Sequence, residues 1–292
     1  LRVSDPAFLH YRDAAFQIAR AGQLPGQDVL WDMLLSFTAS AEDPISGGRH
    51  KVLGSKALNI PPQTSTIASH LPKALGTAYA IGMARRQPCQ SPAYAPDALA
   101  FCSFGDASLN HSTAQGAINT AGWTAYQNVP LPLMMLCEDN GIGISVPTPE
   151  GWVAASMQQR PGIRYVSCNG LDLVDTYIKA RELADWIRQR RKPGFLHLSC
   201  VRLYGHAGAD VEASYRAKAE IAQQEANDPL LHSAARLIAE GLASKDDILT
   251  LYQNLEAETE SRAEAAVLRP KLQNAQQVMA ALIPPERQAP IA

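Results

Sequence analysis

No apolar run in this 292-residue chain approaches the roughly 20 residues that a bilayer-spanning helix needs. The opening stretch, LRVSDPAFLHYRDAAF, also lacks the apolar core of a signal peptide. Charge is sparse at 18%, and the net value of −2 argues against a nucleic-acid surface, local patches aside. Only five cysteines occur, without paired spacing. Cys102, Cys137 and Cys200 fall in expected strands, where thiols act as small buried hydrophobes. That usage fits a reducing compartment, so the chain reads as soluble and cytoplasmic, with no membrane or nucleic-acid partner. Glycine is nearly missing beyond position 211, where Ala, Glu and Leu dominate and helices are expected over 211–227 and 229–283.

What is present is a 46% hydrophobic composition, enough to bury a sizeable core, and a distinctive stretch from Phe101 to Ser145. Two apolar runs, LAFCSF and LPLMMLC, stop abruptly at Gly105-Asp106 and at Glu138-Asp139-Asn140-Gly141. Such runs read as buried parallel strands that present polar groups at their carboxyl ends. Between them, His111–Gln127 is rich in alanine and free of proline, so a crossover helix is expected. Strand tips joined in this way are where an open α/β sheet holds its ligand. Asp106 and Asn140 would offer a carboxylate and an amide oxygen, donors suited to Mg²⁺ or Ca²⁺ shared with a phosphorylated ligand. The turn after Asp106 adds backbone N–H groups for a phosphate. A Gly-Asp pair alone is most often a plain turn; two matched halves carry the weight.

Elsewhere the pattern predicts helices over Ala7–Ala21, Val29–Ser40, His70–Arg86 and Leu173–Arg191, and a short one within Gly151–Pro161. In the Leu173–Arg191 helix, Leu173, Tyr177, Ala180, Ala184 and Ile187 share one face. Strands are expected over Ile163–Ser167 and Phe195–Leu203. The basic loop DPISGGRHKVL has room for an anion but reads first as a solvated turn. QPCQSPAYAPD, at 87–97, reads as a surface excursion. The division expected is an α/β domain over 1–228, with C-terminal helices packed on it over 229–292 and a Pro-rich linker starting near Pro284.

GDASLN followed by CEDNGIGIS resembles the GDG…NN signature of thiamine-diphosphate enzymes, as it occurs in the alpha subunit of 2-oxo acid dehydrogenases. The likeness runs in family order from Tyr11-Arg12-Asp13 through GGRHKVLGSK and TSTIASHLPKALGTAYA to RLYGHAGADVEASYR. It implies a three-layer αβα thiamine-diphosphate-binding fold with a mainly parallel sheet and a C-terminal helical extension. The implied cofactors are thiamine diphosphate and Mg²⁺, the metal held by Asp106, Asn140 and the carbonyl of Ile142. Tyr11 and Arg12 would clamp the diphosphate, with Gly105, Ala107 and Asn110 beside it and Ile67 against the aminopyrimidine. His206 would be the catalytic histidine; outside the family context it reads as an ordinary strand-end histidine.

Departures from the family pattern are Ala107 for the last Gly of GDG, Asp139 for the first Asn, and Ala207 after the catalytic histidine. Ser69-His70 stands where branched-chain relatives bind potassium, so that ion is not expected. Arg160 is the nearest match to the arginine placed after the metal loop. The activity implied is oxidative decarboxylation of a 2-oxo acid, branched-chain or pyruvate, with reductive acylation of a lipoyl domain. An acetoin dehydrogenase-type enzyme and a non-catalytic diphosphate-binding subunit are the alternatives. The glutamate that activates the cofactor belongs to a beta subunit or a fused beta half, so the implied assembly is α2β2 or a fused homodimer.

Overall fold

The computed structural model describes residues 1–84 and 94–283. In chain order the elements are β1 (Ala7–Phe8), α1 (Ala14–Ala21), α2 (Val29–Phe37), β2 (Leu53–Ser55), β3 (Ile60–Gln63) and α3 (Leu71–Ala84). Then come β4 (Ala100–Gly105), α4 (Ser112–Tyr126), β5 (Leu133–Asp139), α5 (Trp152–Met157), β6 (Arg164–Asn169), α6 (Leu173–Arg190) and β7 (Gly194–Ser199). Four C-terminal helices follow: α7 (Lys218–Ala226), α8 (Pro229–Ala239), α9 (Lys245–Val267) and α10 (Ala275–Met279).

Five strands form one sheet in the order β1-β4-β5-β7-β6, and every pairing is parallel. Side-chain alternation along a strand sends successive residues to opposite faces. Cys102 and Phe104 of β4, with Met135 and Cys137 of β5, therefore face α3, α4 and α5. Phe101 and Met134 face the other way, toward Leu183, Ala184 and Ile187 of α6. This gives the expected three layers. Because β4 and β5 pair with Gly105 opposite Glu138, their carboxyl tips end side by side.

The first helix differs from expectation. Ala7 and Phe8 are extended and pair with Phe101 and Cys102, and the helix begins only at Ala14. Pairing with the sheet overrides a helical period that is too short to hold itself. The result brings His10–Asp13 to the carboxyl end of the sheet, beside β4. β7 stops at Ser199 rather than Leu203, and the stretch after Val211 is a 3-10 turn over Glu212–Ser214 before α7 starts. In α6, Asp172 caps the N-terminus by accepting from the N–H groups of Val174 and Asp175. Its Leu183, Ala184 and Ile187 are buried, but Leu173 and Tyr177 are exposed. Those two line an apolar groove of about 570 Å³ between α1 and α6. The basic loop is engaged on two sides: Arg49 donates to the carbonyls of Val278 and Gln277, and Lys51 to that of Tyr11 at 3.0 Å. Most of the 87–97 excursion, the last two residues of the expected third helix and the linker from Pro284 lie outside the described residues.

At the other end, Leu34 and Leu35 of α2 cluster with Ala266 of α9, and Arg262 pairs with Asp28. Two glycines of α3 separate packing from propensity. A methyl on Gly82 would collide with the carbonyl oxygen of Pro130, whereas one on Gly76 would meet nothing within 4 Å. Gly82→Ala is expected to lose about 3 kcal/mol, as overpacking against backbone does. Gly76→Ala should gain about 0.5–1 kcal/mol from helix propensity alone. Urea unfolding of the two variants checks both signs.

Candidate active site

A cleft of about 350 Å³ opens at the tips of β4 and β5. Its walls include Tyr11, Arg12, Ile67, Gly105, Asp106, Ala107, Asn140, Ile142 and His206, which are the expected site residues apart from Asn110. Asn110 lies outside that lining: its side-chain oxygen accepts from Trp152 Nε1 at 2.8 Å. Five chain segments far apart in sequence meet here, four of them because β1, β4, β5 and β7 end at one edge.

Asp106 opens a 3-10 turn directly after β4 and is almost fully buried. Burial pushes its carboxyl above the ordinary value, and the nearby charge of Asp139 adds to this, against the hydroxyl of Thr148, which donates to it. Asn140 follows β5 and its Oδ1 accepts from Ile142 N–H at 3.1 Å. Gly141, at φ +75°, allows the turn between them. The carbonyls on either side of Ile142 are committed, Gly141 to Thr148 N–H at 2.9 Å and Gly143 to Arg202 at 3.0 Å. The departure at Ala107 is accommodated locally, since a methyl on Gly143 would lie 3.2 Å from the Ala107 methyl.

On the opposite wall, Arg12 lies over the Tyr11 ring at 5.1 Å. It donates to His206 Nδ1 at 3.1 Å and also to the His206 carbonyl. Burial, together with the charges of Arg12 and Arg202, lowers the His206 ring below its usual value and keeps it neutral at pH 7. An arginine only donates, so Nδ1 accepts and the ring hydrogen sits on Nε2. Asp210 accepts from the His206 N–H at 2.6 Å and from the Tyr215 hydroxyl at 2.6 Å, which fixes the loop around His206.

Arg160, the expected arginine of the metal loop, instead reaches Gln115 Oε1 at 3.2 Å, away from the cleft. Arg202 is an arginine that does reach the Asn140 loop. It donates to the carbonyls of Gly143 and Ile144, to Glu212 Oε1 at 2.9 Å and to the Tyr215 hydroxyl at 2.7 Å. It thereby ties the Asn140 loop to the His206 loop. Its place two residues beyond Cys200, at the end of β7, was the available signal.

Beside the cleft lie further groups to which the motifs gave no role. Ser103 Oγ donates to Asp13 and accepts from His10 N–H at 2.8 Å. Glu138 lies against Asp13, and burial raises both carboxyls above their ordinary values. His10 Nδ1 is 3.9 Å from Glu138 Oε2. Burial pushes the His10 ring down to about 3. In the unfolded chain His10 takes up a proton below about 6.5, while the folded ring resists until about 3. Its contribution is therefore complete above the unfolded value and drains away as pH falls through that window. At pH 5 the loss from this group is about 2 kcal/mol. His10→Asn is expected to lose correspondingly less stability than the parent between pH 7 and pH 5, which urea unfolding at the two values checks.

An all-parallel sheet between two helical layers, with an open cleft at the tips of two interior strands, defines a three-layer α/β fold. The dehydrogenase E1 component family matches residues 1–275, and the chain belongs to that family. It falls among the alpha components of the thiamine-diphosphate-dependent 2-oxo acid dehydrogenases, with branched-chain types among its relatives. The 2-oxoisovalerate dehydrogenase subunit alpha of Bacillus subtilis (strain 168) is 29% identical over 247 residues, 80% of this chain and 70% of that protein. The 2-oxoisovalerate dehydrogenase subunit alpha 2 of Arabidopsis thaliana is 30% identical, over 58% of this chain and 33% of its own. The somatic pyruvate dehydrogenase E1 component subunit alpha of Homo sapiens is 25% identical, over 60% of this chain and 44% of its own. The chain thus spans under half of the last two. Among solved structures, transketolase from Leishmania mexicana aligns over 67% of this chain and 28% of that one, at 16% identity and a TM-score of 0.42. Among the described residues, no helix is long and apolar enough to cross a membrane.

Proposed function

We propose that this chain binds the diphosphate end of thiamine diphosphate through a divalent cation, Mg²⁺, in the cleft at the β4 and β5 tips. There it serves oxidative decarboxylation of a 2-oxo acid with acyl transfer to a lipoyl domain. The observation that carries this reading is the register of β4 with β5, which ends Asp106 and Asn140 side by side in a cleft that Arg12 and His206 also line. The donor set fits the cation: a carboxylate from Asp106, an amide oxygen from Asn140 and the carbonyl of Ile142 are hard oxygen ligands of low total charge. A buried carboxyl whose ionisation burial opposes is also one that a cation would satisfy.

Thiamine diphosphate, when bound, supplies the electron sink that decarboxylation requires. The chain's own groups supply position and charge. The Arg12 guanidinium matches diphosphate oxygens in its forked geometry, with Tyr11 beneath it and the N–H groups after Gly105 opposite, at Asp106 and Ala107. Ile67 offers an apolar wall for the aminopyrimidine. His206, neutral with hydrogen on Nε2, can donate to a substrate oxygen on which charge develops.

Among the described residues, Glu138 is the one glutamate in the cleft lining, and its carboxyl is paired with Asp13. The activating glutamate must therefore come from another chain or domain, which supports a beta partner in an α2β2 or fused assembly. The name of the Bacillus subtilis relative favours a branched-chain 2-oxo acid. The four cysteines among the described residues are free, which fits the cytoplasm. A 1–228 unit carrying the C-terminal helices is supported by the contact of α9 with α2. Titration calorimetry with thiamine diphosphate and Mg²⁺, with and without a beta component, tests the reading. Absence of binding heat in both mixtures sinks it.

A further inference from the structure

Asp139 stands at the last position of β5, immediately before Asn140, where the family pattern has an amide. Its carboxylate is held on two sides. One oxygen accepts from Gly141 N–H at 3.1 Å, and the other lies 2.8 Å from His197 Nε2. An ionised carboxylate only accepts, so that ring nitrogen carries the hydrogen. The bond from His197, ahead of burial in the opposite sense, holds the Asp139 carboxyl below its ordinary value. His197 sits on β7, paired with Cys137 of β5 on one side and with Ser167 of β6 on the other. Its Nδ1 is 2.7 Å from the hydroxyl of Tyr165, on β6. Tyr165 is itself fixed, stacked on the buried ring of Phe195 at 6.1 Å. A line of hydrogen bonds therefore crosses three adjacent strands and ends on the backbone N–H of Gly141. That residue lies between Asn140 and Ile142. None of the three side chains lines the cleft.

We propose that Tyr165, His197 and Asp139 form a positioning chain that sets the Asn140–Gly141–Ile142 turn for the divalent cation. The proposal rests on the cation site described under the proposed function. Gly141 has φ +75° and no side chain, so its own conformation does not hold the turn. Other bonds steady the loop: Thr148 N–H to the Gly141 carbonyl and Gly143 N–H to the Val146 carbonyl, both at 2.9 Å, Arg202 to the carbonyls of Gly143 and Ile144, and Ile142 N–H to Asn140 Oδ1 at 3.1 Å. The last lies within the turn, and the others hold it to the far arm of the loop and to Arg202. On the β5 side, the Asp139 carboxylate is the group that links the turn to the sheet, and His197 sets its orientation. An amide at 139 could accept from Gly141 in the same way, but it could not accept two N–H groups on two oxygens. The carboxylate and the histidine therefore work as a pair, and the three strand ends act together on one turn. Partners that orient metal ligands from outside the coordination shell typically change metal affinity about 10- to 100-fold when removed.

Mn²⁺ replaces Mg²⁺ in the test, because the electron paramagnetic resonance signal of free Mn²⁺ reports binding without any turnover. The full chain is titrated in the presence of thiamine diphosphate. His197→Ala is expected to weaken Mn²⁺ binding about tenfold. His197→Gln, whose amide nitrogen reaches toward Asp139 much as Nε2 does, should recover to within about threefold of the parent. Tyr165→Phe, a single-hydroxyl change that spares the fold, should show a loss of about threefold. In the double variant Asp139→Ala/His197→Ala the loss should equal that of Asp139→Ala alone, since the pair acts as one unit. Parent-like binding in His197→Ala, no recovery in His197→Gln, or multiplying losses in the double variant would each overturn the positioning chain. A parent chain that fails to bind Mn²⁺ overturns the cation site itself, which separates the two failures.

Discussion

Asp106→Asn is expected to weaken cation-dependent binding of thiamine diphosphate by about 100-fold, because an amide replaces the one carboxylate in the donor set and leaves the diphosphate charge under-compensated. The same variant should leave the cation-free chain at least as stable as the parent. Asp106 is almost fully buried, burial raises its carboxyl, and the Asp139 charge opposes its ionisation further. An amide of the same shape removes that opposition and can still accept the Thr148 hydroxyl. Binding and stability are therefore expected to move in opposite directions, as they do where a site holds a group that the fold would not choose. Calorimetric titration gives the first quantity and the thermal midpoint without ligand gives the second. Near-parental affinity would refute the cation assignment, and a collapsed midpoint would show Asp106 to be a structural residue.

His206→Ala is expected to lower turnover by about 100-fold or more while leaving diphosphate affinity within about twofold. The neutral ring has its Nδ1 taken by Arg12 and its hydrogen on Nε2, so it offers one directed donor to the reacting end of the cleft. Removing it frees one N–H of Arg12, which can only add to the donors available for the diphosphate. A loss confined to turnover, measured as acyl transfer with the beta component present, separates this role from a binding role. An unchanged rate would mean that the loop carrying His206 is not the reacting wall.

Much of the site was legible in the residues because it is built at the ends of fully buried strands. LAFCSF and LPLMMLC announce β4 and β5 by their unbroken apolar character, and each stops where a polar ligand group begins. Asp106 and Asn140 could be placed for that reason. β1 could not: its two residues are extended only because Phe101 and Cys102 stand beside them, a long-range cause that local periodicity does not register. The arginine at the Asn140 loop shows the same limit. Arg160 is close to that loop along the chain, but the pairing of β5 with β7 brings Arg202 to its carbonyls instead. Asn110 was placed by motif spacing, and the packing of α5 diverted its side chain to Trp152. The Asp139 departure was visible, while its partners on β6 and β7 required the strand order.

The neighbourhood of Ala107 and Gly143 also bears on how this loop can change over time. With a methyl on residue 107, a second one on 143 would stand 3.2 Å away, tighter than ordinary contact. With both methyls present, one neighbour must give by a few tenths of an ångström. Substitution at the two positions is thus coupled: the cost of a side chain at 143 depends on whether residue 107 is alanine or glycine. This chain keeps the extra carbon on the strand-tip turn and the freedom on the Gly141–Gly143 loop.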